Sequence, residues 1–435
     1  MHAADTSVLT GRLLSFRDRP ADIMAEASYD YWSDGALAMH KGIIVWRGDR
    51  GRLPDMYKDW PRQDHGEDLI LPGLIDTHTH FPQMQIIAAY SSHLLEWLET
   101  HTYPAEAEFA DIRHARTIAD AFLSELIAQG VTTAAVYGTS HPVSVEAFFA
   151  AAQARDMRMI AGKVMMDRAA PAEMCDTPRR AYEESSALIA AWHKKARLLY
   201  AITPRFAITS TPEQLDVAKT LKSENPDCYL QTHLSETIAE IHQTMALYPS
   251  ARDYTDVYEQ YDLLGERTLF GHCLHLTPRE RDALKQSRSV AVFCPSSNLF
   301  LGSGLFDYAQ FMHEGVRVAL ASDVGAGTDY GMLATAADAY KVCQLKGYSF
   351  NPLESFYTLT LGNARALGLE DKIGTLEVGT EADIIVLNSA ATAKLKIRMQ
   401  RADSLADELF VLQTLGDERC IRQTYLAGKA AKPAQ

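Results

Sequence analysis

The sequence predicts an α/β fold: a (β/α)8 barrel of the TIM type, joined to a smaller β-rich domain that the N- and C-terminal segments build together. Three observations lead there. The chain has 435 residues, more than a single hydrophobic core holds before a chain divides. Eight short apolar runs, most of them rich in β-branched residues and bounded by turn residues, recur along its middle, and between them lie segments of helical period. Strands alternating with helices argue for a parallel sheet, and eight repeats argue for its closure into a barrel rather than a doubly wound open sheet.

In chain order, residues 5–68 read as strand and turn, including GIIVWRGD at 42–49. The barrel strands are expected at 69–77, 132–137, 159–166, 198–203, 229–233, 269–273, 289–294 and 316–322. Outer helices are expected at 112–129, 144–154, 180–194 and 212–222, where apolar residues recur three and four apart. From 374 onward the pattern returns to strand and turn without strong helices, in GTLEVGTEADIIVLN and in a last strand at 424–429 carrying a glycine turn. The expected division is 1–68, 69–370 and 371–435, with the two outer pieces pairing beside the barrel.

Composition narrows the function. With 47% apolar and 23% charged residues the chain is an ordinary globular sequence. Its net charge of -14 opposes the counterion-releasing grip on a nucleic-acid backbone, so no nucleic-acid partner is expected. Residues 1–20 hold no apolar core of leader-peptide length, and no run of 18 apolar residues exists for a membrane span. The six cysteines, at 175, 228, 273, 294, 343 and 420, form no CxxC pair and read as small buried thiols of a cytoplasmic protein.

The chemistry-bearing residues fall where barrel strands end, the face on which such barrels build active sites. At the first end stands His78-Thr79-His80. In an extended strand residues i and i+2 point the same way, so both imidazoles converge, an arrangement that suits zinc. QTHLSE at the fifth end supplies His233 and Glu236, GHCLH at the sixth His272, and ASDVGAG at the eighth Asp323. Each piece alone has a bland reading, as a buried histidine, a turn aspartate or a helix-capping glutamate. Their joint placement at ends one, five, six and eight is what points to a metal centre with a position left for water.

This pattern resembles the amidohydrolase superfamily, and the likeness spans the barrel. The resemblance implies one zinc ion per chain held by His78, His80, His233 and Asp323. A superfamily lysine that bridges two metals would stand at the fourth strand end, where this chain has Thr203-Pro204-Arg205; Lys163, in the third run, reads instead as a lysine reaching the polar mouth. Further stretches, HFPQMQ, LLEWLETHTYPAEAEF, TPRF, THLSE, CPSSNLFLGSG and SDVGAGT, are similar to the guanine deaminase family of bacteria. That finer likeness implies hydrolysis of guanine to xanthine and ammonia in purine metabolism by a homodimer. It makes Glu236, His272 and Asp323 catalytic: Asp323 takes the proton of the attacking water, Glu236 carries one to ring N3 and His272 binds the oxygen. It also sets Gln83, Arg205 and Phe206, with His233, Glu236 and His272, around the substrate, under a loop shaped by Glu96 and Trp97. The rivals are related deaminases of 8-oxoguanine, adenosine-like or cytosine substrates, a triazine hydrolase, and a noncatalytic scaffold on the same barrel. The HxE with PCxxC ligands of cytidine-type deaminases are missing.

Overall fold

Each of the eight expected runs contributes a barrel strand in the computed structural model, which describes residues 6–91 and 93–433. In order they are Leu74–His80, Val131–Tyr137, Arg158–Gly162, Leu199–Pro204, Tyr229–Leu234, Thr268–His272, Val290–Phe293 and Arg317–Leu320, and neighbours pair in parallel. The period of two sorts their side chains. Ile75, Ala135, Ile160, Ala201, Leu269 and Val290 share an interior cluster, while their neighbours Leu74, Ala134, Met159, Ile202, Phe270 and Ala291 pack outward in the main core. The outer helices Ile112–Ala128, Pro142–Ala154, Pro178–Trp192 and Pro212–Glu224 start where Asp111, Thr177 and Thr211 accept backbone N–H bonds in three of them. Each such cap stabilises its helix by about 1 kcal/mol. No described helix is long and apolar enough to cross a membrane.

The barrel's seam, between strands eight and one, is closed largely by side chains and by the turns beyond the strands. Asn363 Nδ2 donates to Ile75 O at 2.7 Å and Leu320 O at 2.8 Å, and its Oδ1 accepts from Leu320 N at 2.9 Å. Asp76 accepts from the Ser322 backbone at 3.1 Å and from the Ser322 hydroxyl. Burial pushes the Asp76 carboxyl up to about 6. Past the strands, Asp323 N donates to His78 O at 2.9 Å and His80 N to Val324 O at 2.6 Å. The seam thus sets Asp323 beside the His-Thr-His segment.

Segments from both ends of the chain share one seven-stranded mixed sheet. Its order runs Lys429–Ala430, Ile421–Leu426, Ile384–Leu387, Arg62–Pro72, Thr6–Phe16, Tyr29–His40 and Ile43–Asp49. The terminal pieces therefore pair as expected; residues 1–5 and 434–435 lie outside the described residues. Four expectations need correction. The run 69–77 is two strands, because Arg62–Pro72 belongs to the terminal sheet and the barrel strand begins after Gly73; both halves are buried, so the apolar run hides the break. The run 159–166 stops at Gly162, and Val164–Met165 pairs separately with Thr203 and Pro204. The C-terminal piece does contain helices, Ala393–Met399 and Leu405–Leu415. The expected loop at 94–109 is a chain of short helical turns, Leu94–Trp97, Leu98–Thr102, Tyr103–Ala107 and Glu108–Ala110.

Candidate metal centre and active site

Strand one carries His78 and His80 on one side of its extended backbone, and their Nε2 atoms lie 3.3 Å apart. Each Nε2 is also 3.3 Å from Asp323 Oδ1. His233 closes the group from strand five: the ligand atoms of His78, His80 and His233 all lie within 4.8 Å of one another, as do those of His78, His272 and Asp323. His233 is prepared by its other nitrogen, since Nδ1 sits 2.7 Å from Arg205 O. A carbonyl only accepts, so Nδ1 keeps the proton and Nε2 presents a lone pair. The backbone is strained where it turns these groups inward, with φ of +71° at His272 and +51° at Asp323, a left-handed conformation uncommon for residues other than glycine.

Electrostatics separates the groups. Burial, helped by the neighbouring imidazoles, holds His233 well below the usual histidine range, and burial takes His272 down to about 3. Both rings are neutral, which leaves the Nε2 of His233 free to ligate. Burial alone would raise Asp323, yet His78, His80 and His272 outweigh it and hold the carboxylate well below its ordinary value. Glu236 goes the other way, pushed well above the carboxylate range by burial and then by Glu240 and Asp323. Lone pairs of neutral imidazoles facing one another beside a carboxylate repel unless a cation lies among them, so the donor set fits one divalent ion. A second grouping, His193 with Asp227 and Cys228, does not fit. The His193 Nδ1 accepts from Tyr200 N at 3.0 Å, which leaves the proton on Nε2, and Lys194 pairs with Asp227.

Glycine at 271 is part of the construction. A Cβ there would lie 2.6 Å from His78 Cε1 and 3.0 Å from its Nδ1, inside van der Waals contact. We predict that Gly271→Ala displaces the His78 ring, at a stability cost of about 1–3 kcal/mol and about 10–100-fold in metal affinity. Metal content after dialysis against graded chelator checks this, and unchanged retention would show that the ring accommodates the methyl.

Around the metal group lies a pocket lined by Gln83, Arg205, Phe206, Glu236 and His272, roofed by Trp97, Leu98 and Leu301. Glu236 Oε1 accepts from Ser303 Oγ at 2.8 Å, and its Oε2 lies 3.4 Å from His272 Nε2. Asn298 Nδ2 sits 2.9 Å from His272 Nδ1. Trp97 is buried and donates to Ala89 O at 3.2 Å, while Glu96 accepts from Ser91 at 3.2 Å farther out. The structure brings together all the residues singled out in sequence except Glu96, which stands at the lid's edge, and Lys163. That lysine does not reach the mouth: it is fully buried and paired with Asp176, with Glu184 3.3 Å away. Sequence reasoning missed Glu106, Asn298 and Ser303. Asn298 and Ser303 lie in the CPSSNLFLGSG stretch and Glu106 in LLEWLETHTYPAEAEF, but nothing local set them apart, because the burial of a polar side chain depends on distant partners.

Comparison with known proteins adds to this geometry. Residues 69–431 match the profile of the Amidohydrolase family. The guanine deaminase of Escherichia coli K12 is 46% identical over 416 residues, covering 95% of this chain and 94% of that protein. A solved structure of E. coli guanine deaminase superposes with a TM-score of 0.94 over 98% of this chain and 99% of that one, at 44% identity. A guanine deaminase from C. acetobutylicum, solved with guanine in its active site, gives a TM-score of 0.89 at 26% identity and covers 98% of this chain and 100% of that one.

Proposed function

The chain belongs to the amidohydrolase family, and from that premise we propose that it is a guanine aminohydrolase, cleaving the C2 amino group of guanine to give xanthine and ammonia. The observation that carries this reading is the convergence of His78, His80, His233 and Asp323 at the floor of a pocket walled by Gln83, Arg205 and Phe206, with Glu236 fixed beside them by Ser303; in keeping with it, the Asp323 carboxylate is held low and the Glu236 carboxyl high. Groups pushed apart in this way divide the roles of base and acid. We take His78, His80, His233 and Asp323 as holders of one zinc ion per chain. Zinc bound there would supply acidity, lowering the pKa of a bound water from about 15.7 towards roughly 7.

The chain's own residues do the rest. The Asp323 carboxylate accepts the proton that the attacking water gives up. Glu236, its carboxyl pushed well above the ordinary range by burial, delivers a proton to ring N3 beside the attacked carbon; Asp323 then passes the water's proton to the amino group, which leaves as ammonia, while the new hydroxyl on C2 gives its proton back to Glu236 and becomes the carbonyl of xanthine. Ser303 fixes Oε1 of Glu236, so the proton is held on a defined arm. With Asn298 Nδ2 donating to Nδ1, His272 keeps a proton on Nε2 and offers it to the oxygen that develops charge at C2. His233, its ring 6.4 Å from that of Phe206, borders the purine, and Phe206 and Trp97 exclude water from it.

Specificity falls to Arg205 and Gln83. A guanidinium offers only donors in a fixed fork, which suits O6 and N7 of guanine and rejects adenine, whose C6 carries a donor. We predict that Arg205→Lys raises the Michaelis constant for guanine by about tenfold or more, since a hydrogen bond to a charged group is worth about 1.5–3 kcal/mol; unchanged KM and kcat would remove Arg205 from purine reading. Within this proposal the enzyme is a cytoplasmic homodimer of purine catabolism, with the chain divided at 1–68, 69–370 and 371–435. Steady-state rates on guanine, adenine, adenosine, cytosine, 8-oxoguanine and a chlorotriazine test the substrate. Guanine is expected to dominate, and a rival substrate turned over in its place would overturn the assignment.

A further inference from the structure

Glu106 does not line the pocket, yet it holds both of the side chains that read the purine. It stands on the short helix Tyr103–Ala107 of the lid and is fully buried, with Gln83 and Arg205 exposed by only 2% and 3%. Its Oε2 accepts from Arg205 Nη1 at 2.7 Å and its Oε1 from Gln83 Nε2 at 3.0 Å. Gln83 is held at its other end too, where Oε1 accepts from Gly325 N at 3.2 Å. Tyr103, from the same lid helix, lies under the guanidinium at 5.5 Å.

From this junction we propose that Glu106 is a specificity-positioning residue, which fixes the donor and acceptor order of the purine-reading wall through Gln83 and Arg205. The reason is the chemistry of a carboxylate. It accepts and never donates, so Gln83 must turn its NH2 towards Glu106 and its carbonyl towards the Gly325 amide. The hydrogen and lone pair left for the substrate are then in one order and cannot exchange by an amide flip. The same carboxylate neutralises a buried guanidinium and anchors one arm of its fork, which leaves the remaining N–H groups aimed by a fixed plane. Because Glu106 comes from the lid, Gln83 from beyond strand one and Arg205 from the end of strand four, the reading wall is complete only when the lid segment is seated.

The inference rests on the guanine reading, and its test separates the two. Glu106→Gln keeps the shape but replaces an acceptor by a donor that faces either Gln83 or Arg205. Kinetics are measured on guanine and on 2-aminopurine, as substrate or competitive inhibitor, because 2-aminopurine keeps the C2 amine and lacks O6. The expected result is a rise in KM for guanine of about 10- to 100-fold, the scale of a charge-assisted hydrogen bond, with kcat and metal content much less affected and with a clearly smaller loss for 2-aminopurine, which keeps N7 but lacks O6. Equal losses on both ligands, or wild-type constants for guanine, overturn the proposal. If Glu106→Gln does not fold, Glu106→Asp decides in its place: it keeps charge and acceptors, and is expected to retain the preference for guanine over 2-aminopurine at a raised KM, whereas equal losses on both ligands again refute the role. A wild-type protein inert towards guanine would instead sink the substrate assignment itself.

Discussion

Glu236→Gln is expected to reduce turnover of guanine by about 10²–10⁴-fold, the loss typical of a removed proton carrier, while the protein stays folded and keeps its metal. The amide is isosteric, and its oxygen can still accept from Ser303 Oγ, which lies 2.8 Å from Oε1 in the wild type. What it lacks is a proton that can be handed on. Burial, and then the neighbouring Glu240 and Asp323, push the wild-type carboxyl well above its ordinary range, which favours the acid form that the reaction needs, and the amide has no such form at any pH. Single-turnover rates beside metal analysis check this. Near-wild-type rates in a metal-loaded variant would take Glu236 out of the proton path.

Asp323→Asn is expected to be at least as damaging and to differ in kind. The Asp323 carboxylate faces three imidazoles, with Oδ1 3.3 Å from His78 and His80 Nε2 and Oδ2 3.7 Å from His272 Nε2. It is the one anionic member of the proposed ligand set and also the proposed base. Substitution by a neutral amide removes both functions, so metal content and turnover should fall together, turnover by about 10⁴-fold or more given the base alone can contribute up to that factor. The contrast with Glu236→Gln is the informative part: one variant inactive and loaded, the other inactive and depleted. If Asp323→Asn kept its metal fully and lost only a few-fold in rate, neither role would stand.

The barrel was legible because its signals are local. A β-branched run between turns reports a buried strand within a window of eight residues, and His78, His80, His233, His272 and Asp323 were found because each sits at such a run's end. What was not legible depends on which surface covers a run. Residues 69–77 read as one strand because Leu69 and Leu71 of the terminal sheet are buried as thoroughly as Leu74 and Ile75 are on the two faces of the barrel strand. Only pairing partners, Leu71 with Ile385 and Leu74 with Val131, divide them at Gly73.

Lys163 went astray for a related reason. Alternation along 159–166 would aim it at the mouth, but the strand ends at Gly162, and the lysine turns into the pair with Asp176. The seam residue Asn363 and the lid residue Glu106 were invisible in sequence because their partners are hundreds of positions or several elements away. Asn363 bonds across 288 residues to Ile75, and Glu106 across 99 to Arg205. A polar side chain whose purpose is long-range carries no local period.

In the proposed reaction, one cation at the convergence of strands one, five and eight enables hydrolysis of guanine. The measurement is the conversion of guanine to xanthine, followed by absorbance, in protein stripped by chelator and then titrated with zinc. Stripped protein is expected to show no turnover, with recovery that reaches its plateau at one zinc per chain. Full turnover by metal-free protein, or recovery only beyond one equivalent, would contradict the proposed reaction.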